Sequence, residues 1–480
     1  MTNEKFRTRL FAHPQFVNIS SIVYFFVVSL IAHSLELPTI AFLIILIPLL
    51  FVRCDFSLIL AFYFINSLAF YDPSDITSRV SNFLIPDIIL LFLIFVVIVK
   101  KPDPFEIKIP INSLLITLYL MIFYFIAMSI KPLFVMGKDF YVMADIREVC
   151  LFLLVPFIAF HKNFSLKSGF RLIIIIILST TFCALNCIIT YLLTNDRVLT
   201  WHETFFADAL LMSIILFFYL KSIKIKIILG TVAVICFFAM IFTQTRSIWL
   251  ASAICGVLIV PLQLLKGFKW SSVLKFIKII SFVVILLISV EGIFKVGLVN
   301  LVTNRFKDFS MYELINPASS TGYRVYESYM VLRSSTLWGH GSGARIHLVK
   351  TQGKKIKWHY WWSIHCEYFE ILHKYGYVGL GIFLIFLAIY FCRASLLIVH
   401  SKKVIRIIGL ICFIVMLQHC IISITSGYII RDDITSFLAF MICLLEVGWL
   451  MRKNYRFKRN SKKEYINNVQ FNPFYNNCKL

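Results

Sequence analysis

The fold this sequence predicts is an all-α integral membrane protein of about 12–14 transmembrane helices with one large loop outside the membrane. Composition is the first observation behind it. Of 480 residues, 60% are hydrophobic and 15% charged, against roughly 25% charged in a soluble domain, and mean hydropathy is +0.86. The second is arrangement: apolar runs long enough for the ~20 residues that cross a bilayer recur from end to end. The third is the alternation of basic and acidic loops between those runs.

Fourteen runs centre on 16–33, 37–52, 55–71, 83–99, 112–130, 142–160, 170–193, 205–220, 226–243, 247–265, 275–298, 376–394, 404–425 and 433–451. Cationic loops stay in the cytoplasm. Lys100/Lys101/Lys108, Lys162/Lys167/Arg171, Lys221/Lys224/Lys226, Lys266/Lys269/Lys275/Lys278 and Arg393/Lys402/Lys403/Arg406 all fall on one side, together with both termini. The intervening short loops are acidic or mixed: Asp72/Asp75, Asp139/Asp145, Asp196/Glu203/Asp208 and Asp432/Asp433. The chain therefore divides into N-terminal spans (1–296), a large extracytoplasmic loop (297–364), C-terminal spans (365–453) and a basic cytoplasmic tail (454–480). That tail is polar and Asn-rich, the composition of a disordered segment. The net charge of +23 is mostly the positive-inside signature plus this tail. Its plain use is contact with anionic lipid headgroups, and nucleic acid binding is not implied.

Most of the twelve cysteines lie inside the spans and none has CxxC spacing, so neither a disulfide framework nor a zinc site is expected. No metal or cofactor is called for. The basic N-terminal arm lacks a small-residue cleavage site and reads as retained. No internal repeat is visible.

The one long polar segment holds the chemistry. It carries Gly339-His340-Gly341-Ser342-Gly343, then His365-Cys366-Glu367-Tyr368, then Gly376-Tyr377-Val378-Gly379. Charges at span ends are costly unless solvated or paired, so a cluster at one depth marks a site. Arg246 opens the tenth span, Arg147 stands at the same level with Asp145 two residues before it, Arg431 precedes the last span, and the loop adds Arg324, Arg333 and Arg345. Planar guanidinium groups converging at one depth capture phosphate oxygens bidentately; any one of them alone is equally a snorkelling or ion-paired arginine. The helical spacing His365-x-x-Tyr368-Phe369-x-x-Leu372 puts His365 at the outer mouth of the twelfth span, where an imidazole can take the proton of an attacking sugar hydroxyl. Glu367 and Glu370 are the sequence candidates to orient it, but residues two apart lie on different helix faces. The glycines of WGHGSGA either expose backbone N–H groups to an anion or form a plain loop.

Over roughly 230–395 the chain resembles the O-antigen ligase and polymerase superfamily of bacterial envelope glycan enzymes. TQTRSIWLAS is similar to that family's arginine block at the start of an outer-facing span, TGYRVYESYMVLRSSTLWGHGSGA to its arginine-rich stretch, and HCEYFEILHKYGYVGL to its His-Asn-x-Tyr-Leu…Gly-x-x-Gly block. Cys366 stands where the family usually has Asn. The resemblance implies that Arg246 and Arg324 bind the pyrophosphate of an undecaprenyl-pyrophosphate-linked oligosaccharide, and that His365 assists the acceptor hydroxyl; Arg147 and Arg333 join the expected pyrophosphate site from the clustering of charges alone. It implies metal-independent glycosyl transfer on the periplasmic face of the bacterial inner membrane, with membrane lipids and a chain-length regulator protein as partners. A donor of that kind also gives a purpose to the basic excess of the long loop. Polymerase and ligase both remain open. A transporter or flippase is the rival from another class, kept in play by the midspan polar residues Glu291, His419 and Glu446, although no repeat accompanies them.

Overall fold

The computed structural model describes residues 112–135, 140–153, 166–194, 203–264, 319–352, 355–361, 364–426 and 432–470, two dipeptide strands at 79–80 and 83–84, and single positions between these. The expected spans at 16–33, 37–52, 55–71 and 275–298, nearly all of 83–99, and residues Glu291 and Arg431 lie outside the described residues.

The described chain is a helical membrane bundle. Strands β1 (Arg79–Val80) and β2 (Phe83–Leu84) pair antiparallel. The helices follow as α1 (Ser113–Val135), α2 (Phe140–Cys150), α3 (Leu166–Thr194), α4 (Glu203–Tyr219), α5 (Ile223–Thr243), α6 (Arg246–Leu264) and α7 (Ser320–Ser334). Strands β3 (Ile346–Gln352) and β4 (Lys355–Trp361) come next, then α8 (Glu367–Ile398), α9 (Lys403–Ile422) and α10 (Asp432–Gln470). Among the described residues seven helices, α1, α3, α5, α6, α8, α9 and α10, contain stretches long and apolar enough to cross a membrane. Their outer faces carry large exposed apolar side chains, Leu193 at 81% and Phe123 at 73%, surface that lipid accommodates better than water. The chain is a multi-pass membrane protein.

Three expectations are amended. The run at 142–160 begins with an 11-residue helix, α2, that passes into the 3-10 turn Leu151–Leu153. The loop at 297–364 is not wholly helical or irregular, since β3 and β4 form an antiparallel hairpin with Ile346 opposite Trp361. The tail expected to be disordered is helical as far as Gln470, because α10 runs on unbroken from the last span.

Packing follows from which faces are apolar. Helix α4 lies along α5, α8 along α1 and α9, and α9 also along α4, α6 and α10. Stacked rings lock the contacts, as where Tyr191 on α3 lies on Phe242 of α5 at 4.1 Å. Side chains on the inner faces, among them Tyr390, Phe205 and Phe437, are fully buried. In lipid such packing, with interhelical hydrogen bonds, replaces the hydrophobic effect as the force between helices. One end of the bundle is tied by Arg393, buried on α8, which pairs with Glu446 of α10 and donates to Ser113 Oγ at 3.1 Å. Asn112 closes the cluster, its side-chain amide donating to Glu446 at 2.6 Å and its Oδ1 capping the start of α1. At the opposite end α7, the hairpin and the Gly-rich loop sit on the first turns of α8, where Val331, Ile346, Leu348, Ile364 and Leu372 make a small separate core.

Candidate active site

The Gly-rich loop is built into a broken helix. Inside α8, Gly376 has φ 70° and ψ −173°, outside the helical region and in a range that L side chains rarely adopt. The break orphans the carbonyls of His373 and Lys374 and the N–H groups of Tyr377 and Val378. All four are satisfied by one strip of loop: His340 and Gly341 donate to the two carbonyls at 3.0 and 2.8 Å, while Thr336 and Leu337 accept from the two amides at 3.3 and 3.2 Å. Gly339 faces Gly376 so closely that a Cβ on either would overlap the other's backbone. Ser342 is buried between Ser129 of α1 and Tyr375, and the N–H of Gly343 donates to Asp145 Oδ2 on α2 at 2.7 Å. The backbone N–H groups of His340, Gly341 and Gly343 thus go to the protein's own oxygens, two carbonyls and the Asp145 carboxylate. The motif is a clasp, and the buried polar groups it would otherwise strand are paired, as buried backbone must be.

Beside this clasp lies His365. Helix α7 starts on a cap in which Ser319 Oγ accepts the N–H of Gly322 at 2.9 Å, satisfying one of the donors every helix start leaves open. Its first two turns carry Tyr323, Arg324 and Glu327. Glu327 Oε2 accepts the backbone N–H of His365 at 2.9 Å and lies 3.0 Å from Nδ1 of the same residue. The Glu327 side chain is 1% exposed and that of His365 41%. A carboxylate oxygen accepts, so in a neutral imidazole this contact places the proton on Nδ1 and leaves the lone pair on Nε2. The ring of Tyr323 stands edge-on to the imidazole with centroids 6.3 Å apart. The second oxygen of Glu327 is buried without a hydrogen-bond partner among the described residues, an exception of the kind that collects at functional sites.

Arg324 shares this corner. Its Nη1 donates to the carbonyl of Thr425 at 2.8 Å, just past α9, and the N–H of Glu367 donates to Ser423 at 3.0 Å. The start of α8, the end of α9 and α7 therefore meet at one point. Arg246 opens α6 at the same end of the bundle. Thr245 before it donates to Glu203 Oε2 at 2.7 Å, Asp208 one turn further along α4 pairs with His419 on the last turn of α9 at 2.9 Å, and α9 leads on to Thr425. Arg147 is tied in through its own helix, since Asp145 bonds Lys374 of α8 at 2.9 Å. Arg333 is different: it is exposed at the far end of α7, about 13 Å along the axis from Arg324 at 1.5 Å per residue. Its expected share in a phosphate site finds no support in this geometry.

Glu327 is the residue that sequence reasoning missed as the partner of His365, looking instead to Glu367 and Glu370. A signal existed: it is the only carboxylate between Glu313 and Glu367, and it lies one turn after Arg324. Glu370 acts on backbone, accepting the N–H of Ile364 at 3.1 Å. Cys366, the N-cap of α8, is buried, and burial pushes its thiol pKa up; it is a packed side chain and not a reactive thiolate. Of the polar groups expected at midspan, Glu446 is engaged by Arg393 in the cluster at one end of the bundle, and His419, on the last turn of α9, by Asp208.

Taken as chemistry, the corner offers a partly exposed imidazole, a buried carboxylate against its Nδ1 and, one turn earlier on the same helix, the guanidinium of Arg324. No protein-family model matches the chain, and no curated protein is similar to it in sequence.

Proposed function

We propose that this protein is a glycosyltransferase that joins oligosaccharide repeat units carried on undecaprenyl pyrophosphate, an O-antigen or related polysaccharide polymerase working at the periplasmic face of the bacterial inner membrane. The observation that carries the reading is the pairing of His365 with buried Glu327, on the helix that one turn earlier bears Arg324. In the proposed step Nε2 of His365 takes the proton of an acceptor sugar hydroxyl as its oxygen attacks the anomeric carbon of the donor. The new C–O bond forms as the bond from that carbon to the pyrophosphate oxygen breaks, with inversion. Undecaprenyl pyrophosphate leaves with the bonding electrons, and Arg324 and Arg246, with Arg147, hold its negative charge. Such charge-assisted, bidentate contacts suit phosphate oxygens.

A ligase that moves the finished chain onto lipid A core uses the same chemistry with a different acceptor. The two are separated by deleting the gene and resolving the surface glycan on a gel. A single repeat unit on intact core supports the polymerase; lipid-linked long chains with bare core point to the ligase; unchanged glycan sinks both. Transport is less well supported, because Glu446 is paired with Arg393 and His419 is hydrogen-bonded to Asp208, each across helices, and the candidate residues gather at the bundle's end rather than at its midplane.

A further inference from the structure

We propose that Glu370 and Lys374 are positioning residues for His365, a role that rests on the reading above. Lys374 is buried on α8, its side chain 4% exposed, between Asp145 Oδ1 at 2.9 Å and Glu370 Oε1 at 2.5 Å. Each carboxylate uses its other oxygen on backbone. Glu370 Oε2 accepts the N–H of Ile364, the residue before His365, and Asp145 Oδ2 accepts the N–H of Gly343. One ammonium thus joins the strand of backbone ahead of His365 to the glycine clasp and to the helix that carries Arg147.

Stability alone does not call for this arrangement. Two carboxylates and one ammonium give up water to sit here, and a buried ionic cluster is often matched or bettered by apolar residues of the same volume. The ionic form adds direction. Ile364 is itself buried but an apolar contact lets it slide, whereas a carboxylate lone pair aimed at its N–H fixes the peptide plane on the N-terminal side of Ile364, one plane ahead of that whose N–H Glu327 accepts at His365. A misplacement of about 1 Å at a reacting group costs on the order of 10²-fold in rate, so a peptide plane held in this way matters to turnover.

Two full-length variants test the idea because both remove the buried charges of the pair and only one keeps the acceptor. E370Q/K374M retains a side-chain oxygen for the Ile364 N–H; E370M/K374M has none. With undecaprenyl-pyrophosphate-linked oligosaccharide as substrate, E370M/K374M should turn over ~10²-fold more slowly than E370Q/K374M at unchanged donor KM, and the two should unfold at similar temperatures. Equal turnover, or a loss confined to KM, overturns the assignment. Hydrogen exchange at the Ile364 amide needs no reaction: it should be slow in the wild type and in E370Q/K374M, and fast in E370M/K374M. Fast exchange in the wild type, or the same rate in all three, overturns it as well. If the wild type transfers no glycan, the functional reading fails while the exchange rates still decide the positioning. Should E370M/K374M fail to insert, E370A/K374M carries the same comparison.

Discussion

Glu327 grips His365 twice with one oxygen, at the backbone N–H and at Nδ1. The double contact fixes both the position of the residue and the tautomer of its ring. His365→Ala should reduce turnover by on the order of 10²–10⁴-fold, the usual worth of a general base, and leave donor binding in place. Glu327→Gln is the sharper experiment. Because one oxygen accepts both the backbone N–H and Nδ1–H, the amide of Gln keeps its oxygen there and the tautomer with it, but the negative charge that stabilises the imidazolium formed on proton transfer is lost, so a fall in kcat of up to ~10⁴-fold is expected with a correctly folded protein. The check is kcat and KM on purified protein, and near-normal kcat in both variants removes His365 from the mechanism.

That pairing shows where the sequence stops being readable. The spans at α1, α3, α5, α6, α8, α9 and α10 were legible because bilayer thickness imposes a length and a composition on each of them. His365, Arg324 and Arg246 were visible as residue types at span ends and in the long loop. Glu327 was not, since its partner lies 38 residues away across the hairpin, and no local period encodes such a contact. Gly376 and the GHGSG loop were visible as glycines, but their mutual docking depends on a helix break that hydropathy does not register.

Three arginines separate by geometry. Arg246→Ala and Arg324→Ala should each abolish long glycan chains with the protein still inserted, and Lys should rescue poorly because an ammonium lacks the bidentate fork. Arg333→Ala should have little effect, since that side chain is exposed at the opposite end of α7. Glycan gels from complemented deletion strains read all of these. A null phenotype for Arg333→Ala with normal chains from Arg324→Ala would reverse the assignment.

Gly376→Ala places a Cβ against the backbone of Gly339 and Leu337 at a positive φ. Strain of this kind costs on the order of 1–3 kcal/mol, and the steric overlap adds to it. The clasp should open, lowering the thermal midpoint of detergent-solubilised protein and reducing activity together. Unchanged thermal unfolding would mean that the loop and the helix break are not coupled.

At the other end, Arg393 and Glu446 are both buried, so the two ways of removing the pair should differ. Glu446→Ala strands a guanidinium and should cost about 3–5 kcal/mol, whereas replacing both partners by apolar residues of similar size should cost far less. Trp449, which lies 5.1 Å from the Arg393 guanidinium, gives that cation a second, weaker contact and should soften the Glu446 effect slightly. Thermal unfolding of E446A, R393M and R393M/E446M makes the comparison, and a double variant no better than E446A would show that the pair stabilises the bundle as an ion pair and not merely as filled space.

The remaining prediction concerns sidedness, on which the functional reading depends. Helices α4, α6 and α8 start at the end of the bundle that holds His365, while α5 and α9 finish there, so every described group in the candidate site shares one face. The basic connections at Lys221/Lys224/Lys226 and Lys402/Lys403/Arg406 lie at the opposite face, which the rule of cationic loops assigns to the cytoplasm. An alkaline phosphatase fusion at Lys355, in the hairpin, should therefore be active and one at Lys224 inactive. The reverse pattern would place His365 on the cytoplasmic side, where a polymer destined for the cell surface is not assembled by this chemistry, and the donor assignment would fall with it.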